Sequence, residues 1–151
     1  MRQLIPAFAV ALVLPLAACG GSGESGGCTN TRLETSPATV ADVTAPLELQ
    51  ARLTEAGGKP IGGVAVTLEV TFTDEHGAAH GTKGEATTGA DGVATLARPG
   101  GLAAAGLSGW KPVNVIASYE PLGRGPVPAY CWAHSAAAPL TCGGAVCGPL
   151  P

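Results

Sequence analysis

The sequence predicts an all-β chain folded as an antiparallel sandwich. Apolar and polar residues alternate with period two along two long stretches, Leu47 to Thr54 and Val64 to Thr73. Such alternation puts one set of side chains in a core and the other in water. Clusters of Gly, Pro and Asp separate these stretches and break the chain into turns. No sustained helical periodicity accompanies them, and short strands spaced by turns indicate an antiparallel sandwich. With 23 Gly, 13 Pro and only 4% aromatic residues, the chain favours thin β-layers over a large aromatic-lined pocket.

The N-terminal segment reads differently. Arg2 gives a positive start, and Leu4 to Leu16 is apolar, interrupted by Pro6 and Pro15. That run is shorter than the roughly 20 residues of a spanning helix and suits the apolar core of a signal peptide. It ends in Leu16-Ala17-Ala18-Cys19, an aliphatic residue, two small ones and a cysteine. This segment resembles the lipobox signal peptide of bacterial lipoproteins. The resemblance implies cleavage after residue 18 and a diacylglycerol thioether on Cys19, with an acyl chain such as palmitate on the new amine. Each buried CH2 contributes about 0.8 kcal/mol, so two or three chains anchor firmly. Export and anchoring to a bacterial cell membrane or outer membrane follow. Gly20 stands where an Asp would resemble an inner-membrane retention signal.

After Cys19, Gly20-Gly-Ser-Gly-Glu-Ser-Gly-Gly27 has no apolar side chain to bury and reads as a flexible tether with a root-mean-square reach of about 15 Å. Residues 28–151 then make one domain-sized unit. With Arg2 removed, seven basic residues face eleven acidic ones, a net charge of −4. That argues against nucleic acid and against an electrostatic membrane-binding face.

Along this unit, Leu47, Leu49, Ala51 and Leu53 share one strand face, and Glu55-Ala-Gly-Gly-Lys-Pro60 ends the strand. Val64, Val66, Leu68, Val70 and Phe72 mark the clearest strand, followed by a turn at Asp74-Glu75-His76-Gly77. Gly84 to Thr88 is a short strand, and Gly89-Ala-Asp-Gly92 has the Asp-Gly chemistry of a hairpin. Val93 to Arg98 returns with Ala94 and Leu96 inward. Pro99 to Trp110 is a long Gly/Ala-rich connection in which Leu102 to Leu107 has the makings of one helical turn. Val113 to Tyr119 and Tyr130 to His134 complete the strands.

The pieces Leu49-Gln-Ala-Arg-Leu-Thr-Glu-Ala-Gly-Gly-Lys-Pro60, Gly63-Val-Ala-Val66, Thr87-Thr-Gly-Ala-Asp-Gly-Val-Ala-Thr-Leu96 and Val113-Asn-Val-Ile-Ala117 together resemble a bacterial Ig-like domain of the invasin/intimin type. The resemblance implies an antiparallel Ig-like β-sandwich of about seven strands. Transthyretin-like modules of the carboxypeptidase-regulatory type share the Gly-Val-x-Val and Asp-Gly elements and are also β-sandwiches. The chain departs from the usual tandem arrays: it has one copy, with cysteines such domains usually lack.

With Cys19 assigned to lipid, Cys28, Cys131, Cys142 and Cys147 remain. An even set in an exported chain reads as two disulfides, and three pairings are open. Cys28 with Cys131 and Cys142 with Cys147 is the preferred arrangement. The first would fasten the start of the domain to its last strand, and the second would close a short loop. The spacing lacks paired C-x2-C knuckles, which speaks against a thiolate metal site.

Candidate chemistry is sparse. His76 and His80 have i, i+4 spacing beside Asp74 and Glu75, but Gly77 and Gly81 oppose a helix. The group therefore reads as an exposed hairpin tip, with a weak divalent-ion site as the sharper alternative. Gly106-Leu-Ser108-Gly-Trp110 begins like a nucleophile elbow but has Trp in the fifth position, which leaves Ser108 a loop serine. Asp91 reads as a turn former. Trp110, Tyr119, Tyr130 and Trp132 suit the ends of a sandwich core; exposed together they would make a sugar-stacking platform.

The expected protein is therefore a non-enzymatic lipoprotein without cofactor or metal. It displays an Ig-like domain for adhesion, scaffolding or protein contact. The alternative is a glycan- or solute-binding lipoprotein using Trp110, Trp132 and the 99–110 loop. Its expected partners are the membrane through Cys19 and a protein or a glycan, not nucleic acid.

Overall fold

Leu49, Leu53, Leu68, Phe72 and Val115 are fully enclosed between two β-sheets, at no more than 2% exposure each. Burying a side chain of this size contributes roughly 1.5–3 kcal/mol. The computed structural model describes residues 27–74, 76–105, 111–122 and 129–143. Within them the strands are β1 (Thr31–Thr35), β2 (Ala38–Val40), β3 (Leu47–Glu55), β4 (Ala65–Thr73), β5 (Ala79–Thr87), β6 (Val93–Arg98), β7 (Lys111–Tyr119), β8 (Ala133–His134) and β9 (Ala138–Cys142). One sheet has the order β1-β3-β6. The other runs β2-β9-β7-β4-β5, with β8 also on β7. All pairings between these strands are antiparallel except β2 with β9. The chain is an all-β sandwich.

The inward residues are those the alternation predicts. Leu47, Leu49, Ala51 and Leu53 on β3 are buried, as are Val66, Leu68, Val70 and Phe72 on β4. On β6, Ala94 is buried and Leu96 packs against the core. The expected helical turn is a 3-10 turn at Ala103–Ala105; residues 106 and 107 of that expectation lie outside the described residues.

Nine strands replace the expected seven because two long strands are interrupted. The first breaks at Ser36-Pro37, where the chain leaves the β3 sheet as β1 and joins the other sheet as β2. Proline supplies no N–H for a ladder and is at home at such a crossing. The last strand breaks at residues 135–137, giving β8 and β9 on successive parts of β7. Joined across these breaks, the nine strands make seven.

Strand direction gives the sandwich two distinct ends. Thr31 pairs with Glu55, Thr67 with Ser118, and Ser118 with His134. These pairings gather the start of β1, the turn 56–64, the turn 88–92 and the Glu120–Leu122 segment at one end. The other end holds the turn 41–46, the β4–β5 hairpin tip and the 99–105 connection. There the Ala103 N–H donates to the Val43 carbonyl at 2.8 Å.

Candidate functional site

A disulfide and a set of main-chain hydrogen bonds tie together the end at which the described chain begins. Cys28 and Cys131 form a disulfide across 103 positions of sequence, with Cα atoms 5.2 Å apart. Main-chain bonds surround it. Thr29 N–H donates to the Ala129 carbonyl at 3.0 Å, and Cys131 N–H donates to the Thr29 carbonyl at 2.9 Å. The Thr31 hydroxyl donates to the Cys131 carbonyl at 2.9 Å. The preferred Cys28–Cys131 pairing is thus present. Cys142 is disulfide-bonded as well; the remaining cysteines, Cys19 and Cys147, lie outside the described residues.

Trp132 follows this disulfide and stands 66% exposed. Its ring meets that of His134 edge-on, with centroids 5.3 Å apart. This corrects the expectation that Trp132 plugs the core. The alternation of β8 explains it: Ala133 takes the inward place, so its neighbours Trp132 and His134 face out. The other aromatics divide. Tyr119 is buried, and that burial raises its phenol pKa above the ordinary value, with Tyr130 adding to the shift. Tyr130 is partly buried against the core. Trp110 and Ser108 lie outside the described residues. Of the three aromatics of this set that are described, Tyr119 is enclosed in the core and so does not join Trp132 in an exposed platform.

Leu122 at this same end is 91% exposed and was missed in the sequence. A signal existed: Glu120-Pro-Leu-Gly123 offers a single apolar residue with no partner at strand spacing, which cannot join a core face.

At the opposite end, Asp74 organises the β4–β5 hairpin, as the turn expectation requires. Its Oδ1 accepts the N–H groups of His76 and Ala78, each at 2.9 Å. Its Oδ2 lies 2.9 Å from His80 Nε2. The His80 hydrogen bond, and then the Ala78 N–H, hold the Asp74 carboxyl below the ordinary carboxylate range. Asp42 does similar work in its own turn, accepting from Thr44 N–H at 2.8 Å, the Thr44 hydroxyl at 2.7 Å and Ala45 N–H at 2.9 Å. At the Cys28 end, Asp91 Oδ1 accepts the Val93 N–H at 3.0 Å, the turn-forming role expected of it. These carboxylates shape loops with the oxygens a metal would need. Among the described residues no three His, Cys, Asp or Glu side chains converge as ligands. Glu75 lies outside them.

A groove of about 590 Å³ runs beside the β1–β2 crossing, lined by Arg32, Glu34, Pro37, Arg52 and Ala136 among others. Arg32 and Glu34 pair with each other at 2.6 Å. Small-molecule sites enclose most of their ligand, whereas this groove is only partly enclosed.

The chain matches no protein-family model and no curated protein. The functional reading therefore rests on its own residues. They offer a disulfide-fastened sandwich with an exposed Trp and Leu at the end where residue 27 enters, and hydrogen-bonded acidic turns at the other.

Proposed function

We propose that this chain is an exported bacterial envelope lipoprotein, held in the membrane at Cys19. It displays residues 28–151 as a single non-catalytic Ig-like domain for adhesion, scaffolding or protein contact. Strand order is the observation that supports the Ig-like part of the reading, and the anchor rests on Leu16-Ala17-Ala18-Cys19. In constant-type Ig sandwiches the first, second, fourth and fifth strands share a sheet, while the third, sixth and seventh form the other. With the interrupted strands joined, β1, β3 and β6 are first, second and fifth; β4, β7 and β8–β9 are third, sixth and seventh. The fourth, β5, departs from that order: it pairs with β4 at the edge of the other sheet. Segments 1–18 and 19–27 keep the roles of signal peptide and lipid-bearing tether. Cys142 with Cys147 is the second disulfide of the proposal.

The anchor has a direct test. Cys19→Ser should abolish incorporation of labelled fatty acid and move the protein out of the membrane fraction. A variant that is still labelled removes Cys19 from the proposal.

The exposure of Trp132 favours a second reading, glycan binding. It is the weaker one, because Tyr119 is enclosed in the core and does not extend the platform. Fluorescence titration with envelope oligosaccharides checks it: saturable quenching that Trp132→Ala abolishes would establish it.

A further inference from the structure

Trp132 and Leu122 are two of the three large hydrophobic side chains exposed among the described residues, and both sit at one end of the sandwich. Tyr119 pairs with Ala133, so the chain leaving β7 toward Leu122 and the chain entering β8 past Trp132 are neighbours there. Cys28 is bonded to Cys131, the residue before Trp132. The chain outside the structure therefore arrives beside Trp132, while Leu122 lies across β7 from it, at the rim of a groove shared with Glu120, Lys83 and Glu85. Only the eight residues 20–27 separate Cys28 from Cys19. Fully extended, they reach about 26–29 Å; as a Gly-rich coil their root-mean-square reach is about 15 Å.

We infer that this end of the sandwich seats on the lipid headgroups, with Trp132 and Leu122 entering the membrane–water interface. The inference rests on the lipid anchor proposed above and deepens it by fixing which way the domain faces. A lipid surface is the occupant that the chain length selects, since the tether holds this end within its own reach of the bilayer. Chemistry selects it too. Trp is favoured at the membrane–water interface, where its ring is half in apolar and half in polar surroundings. Charge does not drive the contact. The cations around it are paired, Lys59 with Glu55 at 3.3 Å, Lys83 with Glu69 at 3.3 Å and Arg32 with Glu34 at 2.6 Å, and Asp91, Glu85 and Glu120 are acidic. The contact is therefore apolar and insensitive to salt, and the acyl chains supply the affinity. The surface offered to partners is then the far end, formed by the turns 41–46 and 74–78 and the 99–105 connection.

The experiment uses the full chain lipidated on Cys19, in vesicles of three parts phosphatidylethanolamine to one part phosphatidylglycerol, with and without brominated acyl chains. Trp110→Phe leaves Trp132 as the sole indole. Subtracting the emission of a Trp132→Phe chain from that of the unaltered chain gives the same signal without touching Trp110. The expected result is a blue shift of Trp132 emission on the vesicles and quenching by the brominated lipid, both unchanged by added salt. Emission that stays that of a water-exposed indole, on a chain that carries lipid label and floats with the vesicles, overturns the seating and leaves the anchor standing. The same follows if soluble oligosaccharide shifts the emission and brominated lipid does not, which assigns Trp132 to a glycan. A chain with no lipid label overturns the anchor and the seating together.

Discussion

The Thr35 hydroxyl donates to the Ser135 hydroxyl oxygen at 2.6 Å, joining a strand of one sheet to the break in the last strand of the other. The same Ser135 oxygen accepts the Ala117 N–H at 2.9 Å, and Ser135 N–H donates to the Ala117 carbonyl at 2.9 Å. Ser135 thus gives Ala117 both of its main-chain partners where the β8–β9 ladder is interrupted, and ties in β1 as well.

Removing this hydroxyl leaves a partly buried N–H without its acceptor. Ser135→Ala is expected to cost about 1–3 kcal/mol, and Thr35→Val less, about 0.5–1.5 kcal/mol, because the Ser135–Ala117 bond survives. Urea unfolding of both variants and of the double variant checks this. The two effects should be non-additive; simple addition would show that Thr35 and Ser135 are not coupled.

The Cys28–Cys131 disulfide closes a loop of 103 residues. Loop entropy at that length contributes about 4–5 kcal/mol. A Cys28→Ala/Cys131→Ala chain should lose roughly this much in equilibrium denaturation, with the folded spectrum retained at low temperature. A loss under about 1 kcal/mol would show that the unfolded chain is not restrained in the way loop entropy assumes.

Gly92 has a φ of 78°, a region that suits glycine and strains other residues. A Cβ there would also lie 2.5 Å from the Leu53 carbonyl oxygen and 3.1 Å from the Pro60 side chain. Gly92 N–H donates to the Gly89 carbonyl and its own carbonyl accepts the Leu53 N–H, both at 2.9 Å, so the backbone has little room to move. Gly92→Ala should destabilise by about 1–3 kcal/mol. Gly57→Ala, where an added Cβ meets nothing, serves as the control and should change the urea midpoint little.

Acid should loosen both acidic turns. Asp42 and Asp74 titrate below their ordinary 3.8 in the fold, through the Thr44 hydroxyl at Asp42 and through His80 at Asp74. A depressed carboxyl pKa means that stability is fully present above the unfolded value and is lost as pH falls through the folded one. The stability difference between the native chain and Asp42→Asn or Asp74→Asn should therefore be constant at neutral pH and vanish as pH drops below 3.8. Urea midpoints across that range, with carboxyl NMR titrations of the two residues, measure it.

The long strands were legible because each buries one complete face. Four alternate residues of β3 and four of β4 are nearly inaccessible, which is what period two encodes. The interrupted and edge strands were not. In β1 only Leu33 is buried, and β2 has three residues. β9 includes Pro139, yet Ala138 and Leu140 are its buried positions, an alternation too brief to stand out. β5 begins at Ala79 rather than Gly84 because an edge strand is defined by its pairing to β4, not by burial. The aromatic set divided for a similar reason. Tyr119 lies on a strand whose inward parity is fixed by Val115 and Ala117, whereas Trp132 precedes a two-residue strand whose parity only the β7 pairing reveals.

The position of Cys28 also has a mechanical consequence. A pull on residue 27 meets the disulfide before it meets β1. Without that bond, the load would fall on the Thr29 hydrogen bonds to Ala129 and Cys131 and then on the β1–β3 pairs that begin at Thr31 and Glu55. With it, force passes directly to Cys131, and the 103-residue loop cannot lengthen. A load entering at residue 27 is thus borne by a covalent bond before any hydrogen bond of the sheet.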